Sequence, residues 1–388
     1  MMTRTFSSLG LMIGTIIGAG MFALPHVIAR AGFFWGLFHL VLAFCVVTCI
    51  HIFYSVVIAA TPGKHRLPGY ARIHLGAGAE RFAFFSAFGG FYGALLVYGI
   101  LGGMFLSQLF PSFEGGARVF TFLFFAVGAF VLLCNLRHVG ELNFFLTFML
   151  IAVVAVFAVL LLPYMEFSNF KIIPDKTAWF LPYGVFLFAF AGASAVPDAA
   201  EAFYRGNKAP NGRFRRVLVF STIIPLLVYL VFITSVVGVS GQATSSDAIS
   251  GLENFLGKPA ILIGSLIGFL AVFTSYLALG LDLKNIFRYD TQTSALAAWV
   301  GVITIPPILF LAGINDFVSL IGLVGAIAIG IDGIIILLSA LRVCRTGSQC
   351  IIGSVSFHPV FPVLLIGALS LGVVYEVFMI LSRVLLSV

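Results

Sequence analysis

Charge is what this sequence has least of. Of its 388 residues only 9% are Asp, Glu, Lys or Arg, and just 14 are acidic. A soluble domain carries about 25% charged residues, so a chain this poor in charge cannot clothe a water-facing surface. No hydrophilic stretch is long enough for a separate domain, and neither HExxH nor GxGD occurs. An intramembrane hydrolase therefore has no recognisable paired acids or metal motif to work with. The five cysteines (Cys45, Cys49, Cys134, Cys344 and Cys350) have no metal-like spacing. Cys45 and Cys49, four apart in one apolar run, read as small buried hydrophobes. These scarcities exclude a cytosolic enzyme, a nucleic-acid binder and a secreted disulfide scaffold.

What is present is apolar: 61% hydrophobic residues, 43 of them Phe, with a mean hydropathy of +1.15. A membrane helix needs about 20 apolar residues. Hydropathy gives eleven such segments, at 7–29, 32–60, 82–110, 117–136, 141–163, 178–199, 215–239, 259–281, 294–313, 315–341 and 357–386. The chain reads as an all-α polytopic membrane protein, with the first segment a true span and not a removable signal peptide. The net charge of +7 then serves topology. With the N-terminus cytoplasmic, 15 of the 21 Lys and Arg fall on the cytoplasmic side and six on the other. That bias predicts a cytoplasmic N-terminus and an external C-terminus in a bacterial-type inner membrane.

Two spans are interrupted. Span 1 carries Gly14-Thr15-Ile16-Ile17-Gly18-Ala19-Gly20-Met21-Phe22-Ala23-Leu24-Pro25, and span 6 carries Phe188-Ala189-Phe190-Ala191-Gly192-Ala193-Ser194-Ala195-Val196-Pro197-Asp198. In both, Ala-Gly is followed by Pro five residues after the Gly. Small residues also serve close helix packing, but matched interruptions in oppositely directed spans point to a transporter site made of half-helices. The architecture implied is a five-plus-five inverted repeat with broken helices 1 and 6. The repeats cover about 7–163 and 178–341, and an eleventh helix covers 357–386, all in one domain. Exposed amides at Gly18, Ala19 and Gly20 suit a carboxylate, and carbonyls around Phe188–Ala191 suit an ammonium group. Thr15, Ile16, Gly192 and Ser194 flank these points. No charged side chain lies in either interruption, so a neutral amino acid is the expected substrate, bulky and hydrophobic or aromatic because small residues leave room.

GTIIGAGMFALP and FAFAGASAVPD resemble the amino acid/auxin permease family, with the bacterial aromatic amino acid permeases among its relatives in the amino acid–polyamine–organocation superfamily. Tyr98-Gly99-Ile100-Leu101-Gly102-Gly103 and LPGYARIHLG resemble it as well. The resemblance implies alternating-access symport with an amino acid as partner in a lipid bilayer, Na⁺ or H⁺ as coupling ion, no organic cofactor and no nucleic acid. It turns Tyr98 toward the substrate, although a mid-helix Tyr also reads as a packed residue. Ala271-Val272-Phe273-Thr274-Ser275 is similar to the span-8 half of a sodium site. Its partners by position are the carbonyls of Gly14 and Ile17, while back-bonding is the plain alternative for Thr274 and Ser275. Met21 stands where a second sodium site expects an amide. The proton alternative rests on Asp332 and Glu376, ionisable groups at membrane depth, with Glu376 also open to pairing with Arg383. Asp198 is a gating candidate, with Arg4 or the inner end of span 8 as partner, or else a solvated carboxylate. His39 and His51 are expected to be buried and hydrogen-bonded. A channel is the remaining rival, but no re-entrant selectivity segment is visible.

Overall fold

The computed structural model describes residues 2–133, 139–175, 177–204, 212–289, 293–345, 351–352, 355–356 and 360–386. Its helices are α1 (Met2–Ile16), α2 (Gly20–Ala31), α3 (Phe33–Ala60), α4 (Leu67–Leu75), α5 (Ala77–Leu109), α6 (Gly116–Leu133), α7 (Val139–Leu161), α8 (Leu181–Ala189), α9 (Val196–Tyr204), α10 (Gly212–Ser240), α11 (Glu253–Tyr289), α12 (Ala295–Leu311), α13 (Phe317–Val324), α14 (Gly330–Arg345) and α15 (Val360–Leu386). A π-helical turn, Gly325–Ile329, joins α13 to α14. Ile351–Ile352 pairs antiparallel with Val355–Ser356.

Among the described residues, nine helical segments are long and apolar enough to cross a membrane, and ten if the bent pair α1–α2 is one span. Ten of the eleven expected segments fall on this set, and the remaining one, at 294–313, is the shorter apolar helix α12. The count by length is therefore about ten, not eleven. Two connections hold more helix than the hydropathy segments predict. The polar stretch 61–81 contains α4, whose Tyr70 and Ala71 are buried, and span 6 continues as helix through Tyr204. Pro68 in the first turn of α4 and Gly76 just past its end are the usual punctuation of a short helix.

Packing separates lipid-facing from interior positions. Phe34, Phe85, Val159 and Leu364 lie on the outside, where a bilayer replaces water as the solvent. α15 is the most peripheral span, with 11% of its apolar window buried. Inside, α5 lies along α11, and α8 packs against both α2 and α13. The α8–α13 crossing depends on absent side chains. A Cβ at Gly184 would land on the Gly322 carbonyl, and one at Gly325 would land on the carbonyl of Gly184. Because these obstacles are backbone, neither helix can yield by turning a rotamer.

Gly325→Ala should therefore cost about 3 kcal/mol through forced helix separation. Gly367→Ala on α15, where a new Cβ meets nothing within 4 Å, should stay within about 1 kcal/mol of the parent. Thermal unfolding of the two purified variants checks the pair.

Candidate functional site

Span 1 breaks between Ile16 and Gly20, and the chain turns by 52° there. The Ile17 amide still reaches the Ile13 carbonyl at 2.9 Å, and the chain resumes with Met21 to Gly18 at 3.3 Å and Phe22 to Ala19 at 3.2 Å. Among the described residues, the amides of Gly18 and Ala19 and the carbonyl of Ile17 have no backbone partner. Gly18 is open toward other spans, since a Cβ there would sit 3.9 Å from both the Ser275 Oγ and the Tyr98 hydroxyl. Gly20 is tight: its Cβ would lie 2.8 Å from the Cα of Ala189. One glycine thus exposes the backbone, and the other lets the two broken spans touch.

Span 6 breaks between Ala189 and Val196. The Ala191 amide donates to Phe188 at 3.0 Å and the Ala195 amide to Gly192 at 3.1 Å. No described backbone amide reaches the carbonyls of Phe190 or Ala191. The matching Gly-to-Pro intervals are not equivalent in structure. Pro25 lies within α2, whereas Pro197 occupies the first turn of α9, where its missing amide costs nothing. The two motifs mark the right places, but with different registers about each break.

A residue that the motifs did not single out joins the breaks. The fully buried hydroxyl of Tyr229, on α10, lies 2.7 Å from the Ala189 carbonyl and 3.1 Å from the Ile16 carbonyl. Its ring packs against that of Phe190 at 5.2 Å. The available signal was a single tyrosine in the middle of an apolar span, the same signal that drew attention to Tyr98.

Both breaks open on one cavity of about 470 Å³. Thr15, Ile16, Gly18, Ala19, Gly20, Tyr98, Phe188, Ala191, Gly192 and Ser194 all line it. Phe190 does not; its ring is fully buried against Tyr229 and Phe44. Of the oxygen set, Thr274 is buried with its hydroxyl 3.1 Å from the carbonyls of both Leu270 and Ala271, and Ser275 faces Gly18. Ile17 is buried beside the break, and Gly14 lies one turn earlier in α1.

The acidic candidates separate. Asp332 lines the cavity, and its Oδ1 is shut away from solvent without a hydrogen-bond partner. Glu376 sits on peripheral α15, away from the cavity lining. Asp198 pairs at 2.7 Å with Arg66, just ahead of α4, and not with Arg4 or the inner end of span 8. Arg66 lines the cavity together with Asp282. The histidines divide as well. His39 Nδ1 donates to the Trp35 carbonyl at 3.0 Å, but His51, fully buried, has no partner at either ring nitrogen among the described residues. The expectation of a hydrogen-bonded His51 is thus corrected: α3 places it against the Gly192 break, not against another polar side chain.

The cavity leads toward the half-exposed Arg66–Asp198 pair. The opposite end is sealed. Arg30 holds Asp175 at 2.6 Å, His26 Nδ1 donates to the Thr244 carbonyl at 2.7 Å, and Trp35 Nε1 donates to the Trp179 carbonyl at 2.8 Å. Hydrogen bonds from Thr177 and from Arg30 hold the Asp175 carboxyl down at about 2. Further in, Gln108 links the buried Asp247 to Ser265.

Paired broken helices, backbone groups opened on a common cavity and closure at one end define a secondary membrane transporter. Residues 1–347 match the tryptophan/tyrosine permease family, and the chain belongs to it. It is accordingly a multi-pass amino acid permease and not an enzyme; the expected likeness to bacterial aromatic amino acid permeases holds, with the tryptophan/tyrosine permeases as the family matched instead of the amino acid/auxin permeases. Among curated relatives, it is 24% identical over 347 residues to glutamine transporter 2 of Aliivibrio fischeri, covering 84% of this chain and 86% of that one. It is 26% identical over 326 residues to tyrosine-specific transport system 1 of Haemophilus influenzae, covering 80% of each. The fold is similar to that of MhsT in complex with L-phenylalanine, with a TM-score of 0.67 at 15% identity over 97% of each chain. It is also similar to that of Mhp1, a nucleobase-cation-symport-1 family transporter, in a closed conformation with bromovinylhydantoin bound. There the TM-score is 0.60 at 12% identity, over 86% of this chain and 77% of that one. Both likenesses carry the five-plus-five inverted-repeat fold expected from the broken spans.

Tyr229→Phe keeps the ring and removes the donor, leaving two carbonyls at membrane depth without it. The expected cost is about 1–3 kcal/mol of stability, read as a lower unfolding temperature in detergent, with the Phe190 contact preserved.

Proposed function

We propose that the chain is a symporter of neutral L-amino acids with bulky hydrophobic or aromatic side chains, working by alternating access. The observation that carries this reading is the meeting of two helix breaks on one cavity whose lining includes no charged group from either break. The substrate carboxylate would take the unpartnered amides of Gly18 and Ala19, with Gly20 beside them, at the positive end of α2. The ammonium group would take the carbonyls of Phe190 and Ala191 at the negative end of α8. Tyr98, Phe188 and Ser194 would form the side-chain pocket. The volume lies within the range of about 300–1,000 Å³ typical of small-molecule sites. An acidic or basic side chain would be buried there without a partner from the breaks. The tyrosine and glutamine named for the relatives are both neutral.

The ion proposed is Na⁺, held by the carbonyls of Gly14, Ile17 and Ala271 and the hydroxyls of Thr274 and Ser275. The donor set fits a hard cation, which takes several oxygen ligands. The Ile17 carbonyl lacks a backbone partner, and the break approaches span 8 at Gly18–Ser275. When bound, the ion would supply charge that ties the broken span to span 8. A specific observation favours a second reading, in which H⁺ is the coupling ion. An ionised Asp332 would be uncompensated at its unpartnered oxygen, so protonation there would accompany movement of the cavity between its two accesses. Glu376, away from the cavity, drops out of that reading. Repeats at about 7–163 and 178–341 with a peripheral helix at 357–386, and an N-terminus in the cytoplasm of a bacterial-type cell, complete the proposal. In that orientation Arg66 and Asp198 form the inner gate.

Uptake of labelled neutral amino acids into proteoliposomes, with Na⁺ and pH gradients imposed separately, tests both parts. Under the sodium reading, accumulation requires inward Na⁺ and Thr274→Val abolishes it, while Asp332→Asn leaves the Na⁺ requirement in place. Accumulation driven by a pH gradient alone and lost in Asp332→Asn would overturn the sodium reading in favour of protons. No accumulation of any neutral amino acid would overturn the substrate class.

A further inference from the structure

A second cavity lies apart from the helix breaks. It is a groove of about 340 Å³ between α1 and α10, which pack side by side. Thr5 and Leu9 of α1 share its wall with residues from the first turns of α10, and Ile16 meets Tyr229 further along. The two helices therefore enter the membrane from the same surface and run the same way.

The groove is polar at one end only. Arg213 and Arg216, both exposed, line it where α10 begins. Val217, Phe220 and Ile224 then follow at helical spacing on the same face, with Leu9 from α1. Ile224 lies about 12 Å along the helix from Arg216, a depth at which water has given way to hydrocarbon. Charge is equally one-sided. Neither helix carries an acidic residue, and together they hold Arg4, Arg213, Arg215 and Arg216. The neighbouring α9 brings Asp198 and Glu201, but these pair with Arg66 and Lys64. The described lining of the groove includes no carboxylate.

A matching ligand puts an anion at one end and hydrocarbon along the rest. Free phosphate has no chain for the apolar wall, and a zwitterionic lipid brings a cation along with its phosphate. We infer that this groove binds one anionic phospholipid, its phosphate on Arg213 and Arg216 and an acyl chain along Val217, Phe220 and Ile224. Guanidinium groups suit phosphate oxygens because they donate two parallel hydrogen bonds. Residues three apart are neighbours on a helix surface, so both arginines can address one headgroup. Basic pockets between spans attract anionic headgroups in this way. The lipid would also bear on the first break. Tyr229 of α10 holds the far end of α1 through the Ile16 carbonyl, and the lipid would join the near end of α1 to the same helix.

Native mass spectrometry of the purified protein, titrated with phosphatidylglycerol or with phosphatidylcholine of the same chain length, reads the site. One phosphatidylglycerol should bind about tenfold more tightly than phosphatidylcholine, or better. Arg213→Gln/Arg216→Gln should shrink that preference to about threefold or less, with Arg216→Gln alone as the alternative should the pair misfold. Leu9→Trp, which fills the groove and keeps both arginines, should remove the same bound lipid. Arg72→Gln/Arg81→Gln, an equal loss of charge on α4 and α5, should leave it in place. Equal affinity for the two lipids overturns the assignment. So does an equal loss in the Arg72 and Arg81 pair, which would mark a diffuse surface field, and so does binding that survives Leu9→Trp. Displacement by inorganic phosphate beyond that by chloride at matched ionic strength would mark a free-anion site and overturn the lipid reading.

Discussion

A backbone amide or carbonyl at membrane depth needs a partner, because lipid offers none. Every other feature of this protein's centre follows from how that requirement is met at two broken helices. Tyr229 satisfies part of it with one hydroxyl lying between the Ile16 and Ala189 carbonyls, so a third span fixes the ends of α1 and α8 relative to each other. Gly20 allows the approach by presenting no Cβ to Ala189. What these contacts leave unpaired, the Gly18 and Ala19 amides and the Phe190 and Ala191 carbonyls, lies at the breaks that open on the cavity. There a zwitterion would supply both missing charges.

Closure at one end and access at the other are matters of packing more than of ion pairs. The Arg30–Asp175 and Arg66–Asp198 pairs are each substantially exposed, and such pairs contribute about 0–1 kcal/mol. They can form and part without upsetting the fold. The deeper seal involves Asp247, buried and bonded to Gln108 and Ser250. The backbone contacts of Gly184 and Gly325 join span 6 to span 10. That crossing has no freedom to slide, so the α8–α13 interface moves as one unit.

The motif residues were legible because glycine and proline are costly inside a helix wherever they appear. Two interruptions on oppositely directed spans therefore reported on the fold before any contact was known. Ten of the eleven residues expected at the substrate site line the cavity. Phe190 differs only in its side chain: its carbonyl stays at the break, but the chain turns there and the ring goes to Tyr229 instead of the cavity. Asp198 was paired with the wrong segments because Arg66 is 132 residues away, at the start of a helix hidden in a polar connection. Tyr229 and His51 were undervalued for a related reason. A lone Tyr or His in an apolar span looks the same from the sequence whether it is satisfied, bridging or orphaned.

By itself, the sequence determined the solvent in which this chain folds, the number of its long apolar segments to within one, the two places where helix gives way, and the neutral character of the breaks. All are local properties, fixed by composition over about 20 residues or by the backbone preferences of single residues. The tertiary structure alone decided which unpaired backbone groups lie at the breaks, that one tyrosine binds both breaks, that Asp332 and not Glu376 lines the cavity, and that His51 has no partner among the described residues. Those depend on crossings between spans far apart in the chain, set by where a missing Cβ lets one backbone meet another, and no periodicity along a single helix encodes them.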